Sequence, residues 1–173
     1  DFRDMSRLEQ GRIRFKFEKI NAVDICRKAA SEIQSTPAIP VVPIKISQPK
    51  PALPLVMADP DRLLQVVTNL IGNSLKFTER GSITIRFSQT DQNVIITVTD
   101  TGRGIAPEAK HLLFRKFQQA SDDILTRDST RSTGLGLYIS RNLMRSMSGD
   151  LELVDSKLDE GSTFAVTVPI AKK

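Results

Sequence analysis

Hydrophobic positions along the chain follow two periods, and each period marks a different kind of element. Leu63, Val66, Val67, Leu70, Ile71 and Leu75 recur every three or four residues as one apolar stripe, which predicts a helix over residues 60–78. Asp59 followed by Pro60 supplies its start: a side chain that accepts from free N–H groups, then a ring preset at the first helical position. Ile83, Ile85 and Phe87, then Val94, Ile96 and Val98, alternate with polar residues on either side of Thr90 to Asn93, the pattern of a hairpin. Alternation at Ile13, Phe15 and Phe17 and at Phe164, Val166 and Val168 predicts strands, with Leu151 to Val154 as another. Residues 1–10 read as the end of a helix that Gly11 stops, and residues 22–35 as a helix. A last helix follows Gly134, with Leu135, Ile139, Leu143 and Met147 on one side.

Seven of the nine prolines fall between Pro37 and Pro60, yet no charge block or Gly/Ser tract accompanies them. Edge strands and turns within one domain are therefore expected there, rather than a linker. Between Arg115 and Thr133 runs a polar segment of about twenty residues, a length usual for functional lids. At 173 residues and 39% hydrophobic, the chain can close a single core. One cysteine, Cys26, and one histidine leave no internal disulfide and no Cys/His zinc cluster. That content suits a reducing, cytoplasmic setting; no run approaches the roughly 18 to 20 apolar residues of a spanning helix, so a soluble piece without direct membrane contact is expected, with a membrane-anchored parent left open. The net charge of +5 suits a polyanionic partner. Nucleic acid is disfavoured as that partner, because there is no Trp, one Tyr, and Phe residues sit mostly in apolar alternation.

Three constellations carry candidate chemistry. Asn69, Asn73 and Lys76 share one face of the 60–78 helix, where two amides and an ammonium could meet Mg²⁺ and phosphate or simply face solvent. Asp100-Thr101-Gly102-Arg103-Gly104 follows a strand: a carboxylate at the strand mouth can accept from an exocyclic amine, and two glycines permit close backbone approach, although an ordinary turn has the same composition. Ser132-Thr133-Gly134-Leu135-Gly136-Leu137 opens a helix, a place that favours phosphate, without a Walker A or dinucleotide fingerprint.

In this order the three motifs resemble the catalytic and ATP-binding domain of sensor histidine kinases, within the superfamily that includes gyrase-type topoisomerases, mismatch-repair ATPases and heat-shock chaperones. The resemblance covers nearly the whole chain. It implies a two-layer α/β sandwich, the Bergerat fold, with a mixed sheet of about five strands packed on about three helices. It implies ATP and Mg²⁺ as ligands. Residues 69–78 match the asparagine box, implying Asn73 as Mg²⁺ ligand, Asn69 and Lys76 near the phosphates as the catalytic pair, and Phe77 beside the nucleotide. Asp100, Gly102 and Gly104 match the first glycine box, implying Asp100 as adenine reader with Ile105 adjoining. Phe114 and Phe117 match the phenylalanine box, and Thr133, Gly134, Leu135, Gly136 and Leu137 the second glycine box. Thr163 in Gly-Ser-Thr-Phe resembles the family's terminal threonine near adenine. Ser132 replaces the family's usual first glycine, and Gln118 to Ser121 resemble the lid of hybrid-type kinases, leaving Arg127 and Arg131 as candidate lid cations.

Hydrolysing members of that superfamily carry a glutamate base four residues before the Mg²⁺ asparagine, where this chain has Asn69. An amide is a poor base, so the expected activity is transfer rather than hydrolysis. The resemblance places the acceptor histidine on a preceding helical dimerisation domain, with residues 1–12 as its end and residues 13–173 as the catalytic domain. A response regulator receiver domain would take the phosphoryl group next, and a monomeric piece of a homodimeric parent is expected. His111 lies outside any phosphoacceptor motif and is read as a surface residue. A nucleotide sensor without transfer activity and an interaction module of the same fold are the competing readings.

Overall fold

The structure, a computed structural model, describes residues 2–35, 42–115 and 136–172. The stripe of the longest amphipathic segment becomes α3 (Pro60–Lys76), whose Leu63, Val66, Val67, Leu70 and Ile71 are fully buried. It starts where the sequence requires. Asp59 Oδ1 accepts from the N–H groups of Asp61 (3.0 Å) and Arg62 (3.3 Å), and Pro60 occupies the first turn, so orphan donors are satisfied before the helical ladder begins. The other helices among the described residues are α1 (Phe2–Glu9), α2 (Ala22–Gln34) and α4 (Gly136–Ser146). Asn21 caps α2, with its side-chain oxygen accepting from Val23 (2.9 Å) and Asp24 (3.3 Å). A 3-10 turn spans Pro107–Leu112.

Among the described residues seven strands make two sheets: β1 (Glu18–Ile20), β2 (Ile44–Ile46), β3 (Val56–Ala58), β4 (Ile83–Gln89), β5 (Asn93–Asp100), β6 (Asp150–Lys157) and β7 (Gly161–Pro169). The main sheet has the order β2-β4-β5-β7-β6, with β2 parallel to β4 and every other pair antiparallel. This is the mixed five-stranded sheet expected from the sequence. Along β5 the residues alternate between half-buried and buried, with Val94, Ile96, Val98 and Asp100 on the inner face, so one face packs on helices. Leu70, Ile71, Ile139, Leu143, Ile96 and Val166 belong to that single core. Cys26 is fully buried within it, and burial pushes its thiol up to about 12, which leaves it an inert packing group.

The first alternating segment departs from expectation. Residues 13–17 do not form a strand; the strand is Glu18–Ile20, paired antiparallel with β3. Ile13 and Phe15 still pack against the core, which explains their alternation, but the Lys16 N–H goes to Asp59 Oδ2 (2.9 Å) instead of to a neighbouring strand. Phe17 is left 48% exposed beside Phe15, ring centroids 5.8 Å apart. The proline-rich stretch lies within the folded unit, since β2 and β3 sit inside it and Pro60 opens α3; Pro37 and Pro40 fall outside the described residues. Ahead of these, α1 is tied to α3 by Asp4, which contacts Arg62 Nη1 at 3.2 Å and accepts from Gln65 at 2.9 Å.

Asp59 thus serves two segments, capping α3 and anchoring residue 16. Replacing Asp59 with Ala is expected to cost about 2 kcal/mol, at the upper end for a lost cap. Equilibrium urea denaturation checks this, and an unchanged midpoint would show that the cap contributes nothing.

Candidate active site

Among the described residues a cavity opens at the carboxyl end of β5, the central strand, where β5 and β7 meet the C-terminal part of α3. Its empty space, counted with the solvent at its open mouth, is about 320 Å³. One wall is Asn73, Ser74 and Phe77 of α3; the floor is Asp100, Ser162 and Phe164; Gly104, Ile105, Leu113 and Leu137 complete it. A strand-end carboxylate, an amide, two hydroxyls and an apolar rim therefore converge, although they come from separate stretches of the sequence.

Asp100 is 4% exposed. Its Oδ1 accepts from the N–H groups of Gly102 (2.9 Å) and Ser162 (3.2 Å), and Oδ2 has no bond among the described residues. Burial raises its pKa above the usual carboxylate value, while the two N–H donors pull the other way. The Ser74 hydroxyl adds a weaker pull in that second direction without meeting hydrogen-bond geometry.

The glycines act first on the protein's own backbone. A Cβ on Gly102 would lie 2.2 Å from the Phe77 carbonyl oxygen and 2.7 Å from Thr78 Oγ1. That closeness lets the Arg103 N–H reach the Phe77 carbonyl at 3.1 Å. Gly104, with φ +70°, lies so close to β6 that a Cβ would meet the Lys157 carbonyl oxygen at 2.1 Å. The loop after Asp100 is thereby clamped between the end of α3 and the end of β6. Close approach to a ligand was the expected use; packing against Phe77 and Lys157 is the observed one, with Gly104 also lining the cavity.

Asn69 and Gly136 are in contact. A Cβ on Gly136 would lie 2.5 Å from Asn69 Oδ1, and Asn69 Nδ2 donates to Ser140 Oγ at 3.1 Å, so Asn69 faces the first turn of α4 rather than the cavity. Lys76 is exposed, its ammonium 5.7 Å from the Phe77 ring, and the Arg103 guanidinium lies 4.8 Å from the same ring. Asn73 is half-buried in the cavity wall, and its side chain bonds to none of the described residues. A neutral amide oxygen suits Mg²⁺ that keeps waters and phosphate oxygens as its other ligands. No group of three or more His, Cys, Asp or Glu side chains among the described residues offers an alternative cage. The donor set fits a metal that arrives with a nucleotide.

Thr163 requires correction. Its hydroxyl pairs with Thr99 Oγ1 at 3.0 Å on the other face of the sheet, and Ser162, opposite Asp100, is the residue that lines the cavity. Strand alternation supplied the signal: Phe164 and Val166 are buried, so Ser162 shares their face and Thr163 does not. Ser74 was also missed, a polar residue in phase with the Leu70 and Ile71 stripe. Phe117, Thr133, Gly134, Leu135, Arg127 and Arg131 lie outside the described residues. Phe114 packs edge-on against Phe164 (6.4 Å), with the Arg141 guanidinium 3.8 Å from its ring. His111 is exposed on the 3-10 turn, as a surface residue should be.

This arrangement, a mixed sheet on helices with a buried strand-end carboxylate beside an asparagine-bearing helix, defines an ATP-binding domain of the histidine kinase type. The chain belongs to the histidine kinase-, DNA gyrase B- and HSP90-like ATPase family, which residues 58–172 match. It is 33% identical over 175 residues to the non-motile and phage-resistance protein of Caulobacter vibrioides, covering 98% of this chain and 20% of that protein. It is 30% identical over 171 residues to the circadian input-output histidine kinase CikA of Synechococcus elongatus, covering 98% of this chain and 22% of that protein. Its fold superposes on full-length ShkA, crystallised with AMPPNP, with a TM-score of 0.78 and 29% identity over 98% of this chain and 34% of that one. The chain thus spans well under two thirds of these relatives. No helix among the described residues is long and apolar enough to cross a membrane.

The raised pKa has a testable sign. Folding favours the protonated form of Asp100, so the stability it contributes is present below the unfolded value of 3.8 and is lost as pH rises through the folded value. Near neutral pH the buried charge costs stability, and Asp100→Asn is expected to unfold at an equal or higher denaturant concentration than the wild type. The gap should narrow as pH falls towards about 4. A variant clearly less stable at neutral pH would show that the hydrogen bonds to the carboxylate outweigh its burial.

Proposed function

We propose that this chain binds Mg-ATP and transfers the γ-phosphoryl group to a histidine on a helical dimerisation domain of the parent protein, for relay to a response regulator receiver domain. The observation that carries the reading is Asp100: a buried carboxylate with one oxygen fixed by two N–H groups and the other left to accept an exocyclic amine. Apolar groups flank it, Ile105, Leu113, Leu137 and Phe164 from the cavity and Phe77 at its side, as a flat base requires. Asn73 would hold the Mg²⁺, which supplies charge neutralisation between phosphate oxygens. Lys76 and Asn69 would flank the phosphate chain. The first turn of α4, which contacts Asn69, would turn its free N–H groups towards the phosphates, and Thr133, Gly134 and Leu135 precede it in the chain.

Transfer rather than hydrolysis follows from Asn69. At this position an amide offers no base for water, and its hydrogen bond to Ser140 fixes it against α4. Alignment and electrostatics then do most of the work, as phosphoryl transfer requires. His111 is not the acceptor in this reading. Residues 1–12 are taken as the end of the dimerisation domain and residues 13–173 as the catalytic domain of a cytoplasmic portion. The isolated catalytic domain would be monomeric and the parent a homodimer.

The test is phosphotransfer in the parent protein with γ-labelled ATP. Labelling of an acid-labile, base-stable phosphohistidine is expected, with Asn73→Ala lowering the rate by about 100-fold or more through loss of metal positioning. Tight ATP binding without labelling would instead identify a nucleotide sensor.

A further inference from the structure

Behind the cavity lies a short chain of hydroxyls. Ser162 and Ser156 occupy paired positions on β7 and β6, each 6% exposed, and their Oγ atoms are 2.9 Å apart. Ser156 Oγ also accepts from the Ile105 N–H at 2.9 Å. That N–H is delivered by the clamped loop, since Gly104 rests on Lys157, the residue after Ser156. Lys110 Nζ donates to the Ser156 carbonyl oxygen at 3.1 Å, fixing the β6 backbone from the side of the 3-10 turn.

Proton counting gives this chain a direction. If Ser162 donated to Ser156, Ser156 Oγ would accept twice, and its own proton would have no acceptor among the described residues. A buried unpaired donor costs more than a bond gains. Ser162 lines the cavity and Ser156 does not, so only the Ser162 proton can go to water or a ligand; Ser156 therefore donates to Ser162, and the Ser162 proton is left to the cavity that its strand neighbour Asp100 also lines. One wall then presents an acceptor and a donor side by side. A 6-aminopurine matches both: its amine donates to Asp100, and its ring nitrogen N1 accepts from Ser162. A 6-oxopurine offers an acceptor and a donor in the opposite order.

We infer that Ser156, which does not line the cavity, is a positioning residue that fixes Ser162 as a hydrogen-bond donor and thereby sets recognition of the base at N1. The inference rests on the nucleotide-binding reading above and extends it to a residue outside the cavity wall.

Titration calorimetry with ATP and with 1-deaza-ATP, which keeps the amine and replaces N1 with C–H, isolates the Ser162 contact. The wild type is expected to prefer ATP by about 10-fold, the cost of leaving one buried donor unpaired. Ser162→Ala should abolish the preference. Ser156→Ala should reduce it to about 2-fold by freeing the Ser162 hydroxyl to turn, and Ser156→Thr, which restores a hydroxyl, should recover it. A full preference in Ser156→Ala, or its loss in both Ser156 variants alike, overturns the inference while ATP binding stands. Absence of ATP binding by the wild type overturns the reading beneath it.

Discussion

A carboxylate buried at the end of the central strand is costly, and the surrounding backbone is arranged to hold it. Asp100 has one oxygen saturated by the N–H groups of Gly102 and Ser162, and those donors exist only because chain segments approach more closely than side chains would allow. Gly161, with φ +112°, lies against the Asp100 carbonyl so tightly that a Cβ would come within 1.9 Å of its oxygen. Gly102 and Gly104 permit the same intimacy with Phe77 and Lys157. Three glycines therefore bring the ends of α3, β5, β6 and β7 together, and that junction is the cavity. The remaining burial cost leaves Asp100 more readily protonated than an ordinary aspartate, the usual compromise where binding is placed ahead of stability.

Everything distal to that junction orients the same site. Asp59 starts α3 and ties down residue 16, so that seventeen residues later the helix delivers Lys76 and Phe77 to the rim. Asn69 sets the spacing of α3 from α4 through Gly136 and Ser140. Because this amide occupies the place of a possible base, one position both packs two helices and favours transfer over hydrolysis in the proposed reaction. Arg141 stacks on Phe114 and donates to the Leu151 carbonyl at 3.0 Å, linking α4, β6 and the cavity's phenylalanine wall.

Much of this was legible in the sequence because period and burial coincide. The α3 stripe, the Asp59-Pro60 start, the β4–β5 hairpin and the placement of Asp100 at a strand end all follow from local pattern. What escaped depended on partners far along the chain. Residues 13–17 alternate like a strand because Ile13 and Phe15 face the core, yet their hydrogen bonding is decided by Asp59, more than forty positions on. Thr163 was chosen from a short motif, whereas the face it occupies is fixed by the pairing of Ser162 with Asp100. The glycines were read as making room for a ligand, and only the fold reveals that Gly102 makes room for α3. No local signal marks Ser156, whose significance arises from Ile105 and Ser162 on two other segments.

In the proposed reading the Asp100 junction receives the base of an adenine nucleotide. Amide NMR of the uniformly labelled chain, titrated with AMPPNP and Mg²⁺, is the measurement to make, because the N–H groups of Gly102 and Ser162 bond the carboxylate that would touch the base and that of Ile105 bonds the Ser156 hydroxyl behind it. These three resonances are expected to shift together and saturably, and the Asp100→Asn chain to show no such shifts at the same nucleotide concentration. Shifts confined to α4 and Lys76, with the three amides unmoved, would mean that phosphate is bound without the base and that Asp100 is no adenine reader.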